Sequence, residues 1–165
     1  MTIINITTNY TSYTNADELT KADQKLIHTC RAATANAYAP YSNFKVAATA
    51  LLHNGTVVTG TNQENASYPV GICAERTLLA TLHNMYADSY IIALAISYHN
   101  TNPNAVSNIP ASPCGMCRQA LLEYVQVKQQ ELYLLLTGQQ GSIFKINKVA
   151  DLLPLSFSTV NLTNT

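Results

Sequence analysis

The chain has 165 residues, enough for one domain with a sizeable core. Only 11% of them are charged, and nine basic residues balance nine acidic ones, so the basic stripe of a nucleic-acid binder is absent. The longest apolar runs, such as Ile91–Ile96, fall far short of the roughly 20 residues that span a membrane. The first residues, MTIINITTNYTSYTNADEL, have no basic residue before Lys21 and no apolar core, so they do not read as a signal peptide. Residues 1–15 read as a polar, mobile tail, residues 16–165 as a single domain, and the expected location is the cytoplasm. A neutral, weakly charged surface also hints at cover by other subunits.

Residues 16–38 carry Leu19, Ala22, Leu26, Cys30, Ala33 and Ala37 at three- and four-residue steps, which predicts a helix ended by Pro40. FKVAATALL (44–52) and TVVTGT (56–61) flank Asn54-Gly55, a hairpin signal. A loop covers 62–72, and a helical pattern runs over 73–86. SYIIALAISY (89–98) reads as a buried strand, followed by a polar loop with Pro103, Pro110 and Pro113. A helix over 115–128, a strand over 131–137 and a further strand near 143–148 complete the order. The alternation after residue 72 implies a β-α-β-α-β unit with parallel strands, within a three-layer α/β/α sandwich around a mixed sheet.

Three of the four cysteines open two of these helices: Cys73 one, Cys114 and Cys117 the other. Helix N-termini favour thiolates, and both starts can face one pocket at the C-terminal ends of parallel strands. Cys-x-x-Cys plus a third thiolate gives three zinc ligands, and with no fourth in sight the set reads as a catalytic site with an open position. Cys30, on an apolar stripe, reads as a buried structural thiol. Glu75 stands two residues after Cys73, where it can hang beside a metal-bound water and carry its proton. Arg76 and Arg118 follow Glu75 and Cys117 and offer positive charge near the sulfurs, and at least one is expected to donate to them. A structural zinc or a redox Cys-x-x-Cys would use the same cysteines. Jointly, however, Cys-x-Glu followed by Pro-Cys-x-x-Cys matches the zinc-deaminase signature.

With these motifs the chain resembles the homotetrameric cytidine deaminases. The resemblance runs from about Tyr38 to Phe157, through YAPYSNFKVAA (38–48), NQENASYPVGICAER (62–76), PCGMCRQ (113–119) and DLLPLSF (151–157). It implies that Cys73, Cys114 and Cys117 bind one Zn²⁺ per subunit and that Glu75 shuttles protons while zinc-bound hydroxide attacks C4. The implied reaction converts cytidine and 2′-deoxycytidine to the uridines and ammonia, in pyrimidine salvage. Asn62 and Glu64 would bind the ribose hydroxyls, Phe44 would pack on the nucleoside, and the Ala74 N–H would hold the base carbonyl. Phe157 would reach into a neighbouring subunit's site. Where the family has Phe-x-Val-Gly-Ala-Ala, this chain has Ala47 in the glycine position. The resemblance offers no reading of the tail before about residue 16 or of the loop 99–112. A small-molecule aminopyrimidine deaminase would not need Asn62 and Glu64, and a deaminase of RNA or DNA would need basic surface that is missing.

Overall fold

The computed structural model describes residues 1–163, so the last two positions of the expected 16–165 domain lie outside the described residues. Six strands form one sheet: β1 (Thr11–Tyr13), β2 (Phe44–Leu52), β3 (Val57–Thr61), β4 (Ile91–Asn100), β5 (Tyr133–Thr137) and β6 (Ile143–Ile146). Their order is β1-β6-β5-β4-β2-β3. Only β4 and β5 pair in parallel, and every other neighbour is antiparallel. The expected β-α-β-α-β unit is therefore present with a difference. β3, β4 and β5 point the same way, but β2 lies between β3 and β4, because the Asn54-Gly55 turn returns the chain beside its own hairpin partner.

Helix α1 (Lys21–Ala33) covers one face, and α2 (Ala74–Met85) and α3 (Gly115–Lys128) cover the other. Alternation along the central strands produces the two cores. Ala93, Ala95 and Leu135 face Leu26, Ile27 and Cys30 of α1, while Leu94, Ile96, Leu134 and Leu136 face Leu78, Leu82, Leu121 and Leu122. Small residues on the α1 side let that helix approach closely, and the Cys30 thiol donates to the carbonyls of Ala47 and Ala95 at 3.3 Å each. Ala47 thus packs under α1, which leaves room for its methyl group.

The first helix and the N-terminal segment differ most from the sequence expectation. The helix expected over 16–38 starts only at Lys21, because the Thr20 side chain accepts the Asp23 N–H at 3.2 Å and caps it there. Residues 16–18 and 34–36 are separate 3-10 turns. The segment expected to be a free tail ends in β1, an exposed edge strand paired with β6.

Candidate metal and nucleoside site

Gly60 on β3 sets the depth at which α2 docks. A Cβ there would lie 2.4 Å from the Leu78 nitrogen and 2.6 Å from the Ala74 carbonyl oxygen, so only glycine permits this approach. The first turn of α2 consequently sits tight against the sheet, beside the first turn of α3. Cys73 and Cys114 occupy the N-cap positions of the two helices, and Cys117 follows in the first turn of α3. Their Sγ atoms all lie within 4.8 Å of one another, with Cys73–Cys114 at 3.9 Å and Cys114–Cys117 at 3.5 Å. Tetrahedral Zn²⁺ with Zn–S near 2.3 Å requires sulfurs about 3.8 Å apart, so the set fits zinc. The Cys73 thiol is drawn down to about 6, chiefly by a hydrogen bond from Cys117. Cys117, as the donor, is pushed up, and burial adds to the effect. Three thiols this close cannot all ionise without a cation among them.

These helix starts form one wall of a cavity of about 630 Å³. Glu75 lines it at 5% exposure, and burial raises its carboxyl above the usual carboxylate range. Ala74 is fully buried and lines the same wall, and as the first residue of α2 its N–H has no intrahelical acceptor. Phe44, Asn62 and Glu64 line the same cavity. The Asn62 side chain ties down the start of β2: Oδ1 accepts the Val46 N–H at 2.7 Å, and Nδ2 donates to the Phe44 carbonyl at 3.0 Å. Glu64 accepts the N–H groups of Tyr41 and Ser42 and the Ser42 hydroxyl. That hydroxyl, followed by the two N–H groups, holds the Glu64 carboxyl below its ordinary pKa. Phe44 stacks on Tyr98 with ring centroids 4.8 Å apart and planes 17° apart.

Among the described residues neither arginine donates a hydrogen bond to a sulfur. Arg118 donates to the carbonyls of Pro113 (2.8 Å) and Leu152 (3.0 Å), which fixes the residue preceding Cys114. Arg76 makes no hydrogen bond to a sulfur among the described residues, but its charge helps to lower the Cys73 thiol. Phe157 is 57% exposed and outside the lining of this cavity, and its carbonyl is held by Gln119 Nε2. Sequence reasoning missed Ser42, whose hydroxyl bridges Glu64 and the Phe44 N–H. The available signal was a serine two positions before Phe44 in PYSNF.

Residues 20–132 match the family described as the cytidine and deoxycytidylate deaminase zinc-binding region. A cytidine deaminase from Halalkalibacterium halodurans is 36% identical over 143 residues, which cover 86% of this chain and 98% of that relative. One from Sporosarcina psychrophila is 36% identical over 140 residues, covering 85% and 94%. Among solved structures, cytidine deaminase from Burkholderia pseudomallei superposes with a TM-score of 0.67 at 37% identity, covering 84% of this chain and all of that one. Cytidine deaminase from Mycobacterium tuberculosis superposes with a TM-score of 0.61 at 34% identity, covering 84% and 98%.

Proposed function

The chain belongs to the cytidine and deoxycytidylate deaminase family, and from that premise we propose that it hydrolytically deaminates cytidine and 2′-deoxycytidine to the corresponding uridines and ammonia. The observation that carries the reading is Glu75, a buried carboxyl in the wall of a nucleoside-sized cavity, two residues from one thiol of a three-thiol cluster. Cys73, Cys114 and Cys117 would hold Zn²⁺, which when bound supplies a Lewis acid that brings the pKa of a water near 7. The Glu75 carboxylate takes a proton from the attacking water and delivers it to ring N3 as the oxygen adds to C4. It then takes the proton of the new C4 hydroxyl to the exocyclic nitrogen, the C4–N bond breaks as the C4 carbonyl forms, and ammonia leaves. The Ala74 N–H, at a helix N-terminus, holds the O2 carbonyl of the base and so orients C4.

Glu64 accepts a ribose hydroxyl. A carboxylate offers about four acceptor positions, three of which the 41–42 turn takes. The Asn62 amide retains one N–H for the sugar. The lining contains two carboxylates and no lysine or arginine, which favours an unphosphorylated nucleoside over a nucleotide. No helix among the described residues is long and apolar enough to cross a membrane. The thiol chemistry of the site suits the reducing cytoplasm. Residues 16–165 act as one catalytic domain. We assign the chain to a homotetramer in which Phe157 completes a neighbouring subunit's pocket, in keeping with its exposure and with exposed Tyr41, Tyr68 and Val70 near the cavity. Sedimentation velocity tests this, and a monomer at working concentration would overturn it.

The deciding experiment follows cytidine, deoxycytidine and deoxycytidine monophosphate by ultraviolet absorbance with ammonia assayed in parallel. Zinc-loaded protein is expected to turn over both nucleosides and reject the nucleotide. Glu75→Gln should keep the metal and lose at least about 100-fold in kcat. Near-normal turnover in that variant would refute the proton-carrier role.

A further inference from the structure

The resemblance offers no reading of the chain between β4 and α3, yet Ala111 and Ser112 of this loop line the cavity and its start closes on the turn that holds Glu64. Its far end is anchored. The Ser107 hydroxyl accepts the Asn100 N–H at 2.9 Å, and the Ser107 carbonyl packs so closely on Gly138 that a Cβ there would meet it at 2.2 Å. Its near end closes on residues 42–43. The Thr101 N–H (2.9 Å) and hydroxyl (3.2 Å) both donate to the Asn43 carbonyl. Asn102 Nδ2 donates to the Ser42 carbonyl at 2.8 Å and to Asn100 Oδ1 at 2.9 Å, while its Oδ1 accepts from Asn43 Nδ2 at 3.1 Å. Asn43 is the residue that turns the chain into β2, with φ at 56°.

The far side of that same turn grips Glu64 through the Ser42 hydroxyl and two backbone N–H groups. Without the loop, the only hydrogen bond among the described residues from 42–43 to anything other than Glu64 or Phe44 is the Asn43 N–H to the Ala39 carbonyl. We propose that Asn102 is a positioning residue for substrate binding, holding the 41–44 turn from behind so that Ser42 keeps the Glu64 carboxylate aimed at the nucleoside sugar. This rests on the reading of Glu64 as the acceptor of a ribose hydroxyl. The side chain must be an amide, since it donates toward two oxygens and accepts from a third group at once. Asn102→Asp would turn a carboxylate toward the Ser42 carbonyl and Asn100 Oδ1, whereas Asn102→Ala only removes the clamp.

The test is steady-state kinetics on zinc-loaded protein with cytidine, for Asn102→Asp, Asn102→Ala, Glu64→Ala and the double variant Asn102→Asp/Glu64→Ala. Bound zinc and thermal midpoint are measured on each. The expected result is a KM raised about five- to tenfold by Asn102→Asp and less by Asn102→Ala, with kcat within about twofold. In the Glu64→Ala background the effect of Asn102→Asp should shrink below about twofold, because the group it acts through is gone. A KM effect equal in both backgrounds would overturn the proposal, as would an unchanged KM in Asn102→Asp or a fall in kcat alongside lost zinc. If Glu64→Ala itself leaves KM alone, the sugar-acceptor reading falls and this inference with it. If Glu64→Ala raises KM and Asn102→Asp does not, the inference falls alone.

Discussion

Gly60→Ala tests whether the seating of α2 on β3 sets the geometry of the site. The new methyl carbon would lie 2.4 Å from the Leu78 nitrogen, 2.6 Å from the Ala74 carbonyl oxygen and 2.8 Å from the Leu78 Cα. All three are backbone atoms, so no side-chain rotation relieves the clash. Ordinary contact begins near 3.4 Å, so the helix must back away from the strand by about 1 Å. Ala74 is the first residue of α2 and neighbours both Cys73 and Glu75, so that displacement is delivered to the proposed metal ligand and to the proposed proton carrier. A misplacement of about 1 Å costs on the order of 100-fold in rate. Overpacking of a filled core costs about 1–3 kcal/mol in stability. Cytidine turnover at saturation, zinc per chain and a denaturant melt should therefore show kcat down by about two orders of magnitude in a protein that is still folded. Wild-type turnover together with a wild-type melt would refute the reasoning, since it would mean that the helix is not seated on this glycine. A large stability loss at unchanged kcat would mean that the site floats free of the strand.

Arg118→Ala removes two charge-assisted hydrogen bonds, to the carbonyls of Pro113 and Leu152, and is expected to lower unfolding free energy by about 2 kcal/mol and to weaken zinc retention in a competition assay with a chromogenic chelator. Cys30 should make the protein labile to alkali. Burial pushes its thiol from 9.0 up to about 12, so its contribution is complete below pH 9 and is lost as pH rises towards 12, at about 1.4 kcal/mol per pH unit. The stability gap between wild type and Cys30→Ala should therefore narrow above pH 9 in urea melts, and parallel pH profiles would contradict this. Removing zinc with a chelator should abolish turnover and lower the thermal midpoint while leaving far-ultraviolet circular dichroism unchanged at 25 °C, because two apolar clusters hold the sheet independently of the thiols. Outright unfolding on chelation would make the metal a structural element.

The parts of the fold that could be read from the sequence are those where one face meets one environment. β4 was legible because helices cover both its faces, so Ile91 and the run from Ala93 to Tyr98 are buried. The same logic failed at α1. Leu19 and Ala37 are buried in step with the helical stripe although neither is in the helix, so periodicity overran the Thr20 cap. β1 left no signal, since Thr11 and Ser12 are exposed and the strand is held by its pairing with β6, by Tyr13 against the α1-side cluster and by Tyr10 on Phe144 (centroids 4.7 Å apart). At the site, the thiols and Glu75 were readable because the chemistry fixes their spacing along two helix starts. The Ser42–Asn102 contact joins residues 60 positions apart, and no local pattern encodes which loop will lie behind which turn.

The two carboxylates of the cavity show how one pocket can assign opposite duties to the same functional group. Glu64 accepts the Ser42 hydroxyl and two backbone N–H groups, all of which favour its ionised form, and its pKa falls. Glu75 is buried against the helix start and the thiols, burial penalises its charge, and its pKa rises. The hydrogen bonds favour the ionised form of the first, which suits a fixed acceptor better than a proton carrier. The second sits where gaining and losing a proton are closer in free energy, which suits the proton carrier proposed for it. Exchanging these environments while keeping both glutamates would leave every residue of the motif present and disable the chemistry. What specifies the site is thus Cys-x-Glu together with the turn that holds one carboxylate in hydrogen bonds and the glycine-seated helix that keeps the other dry.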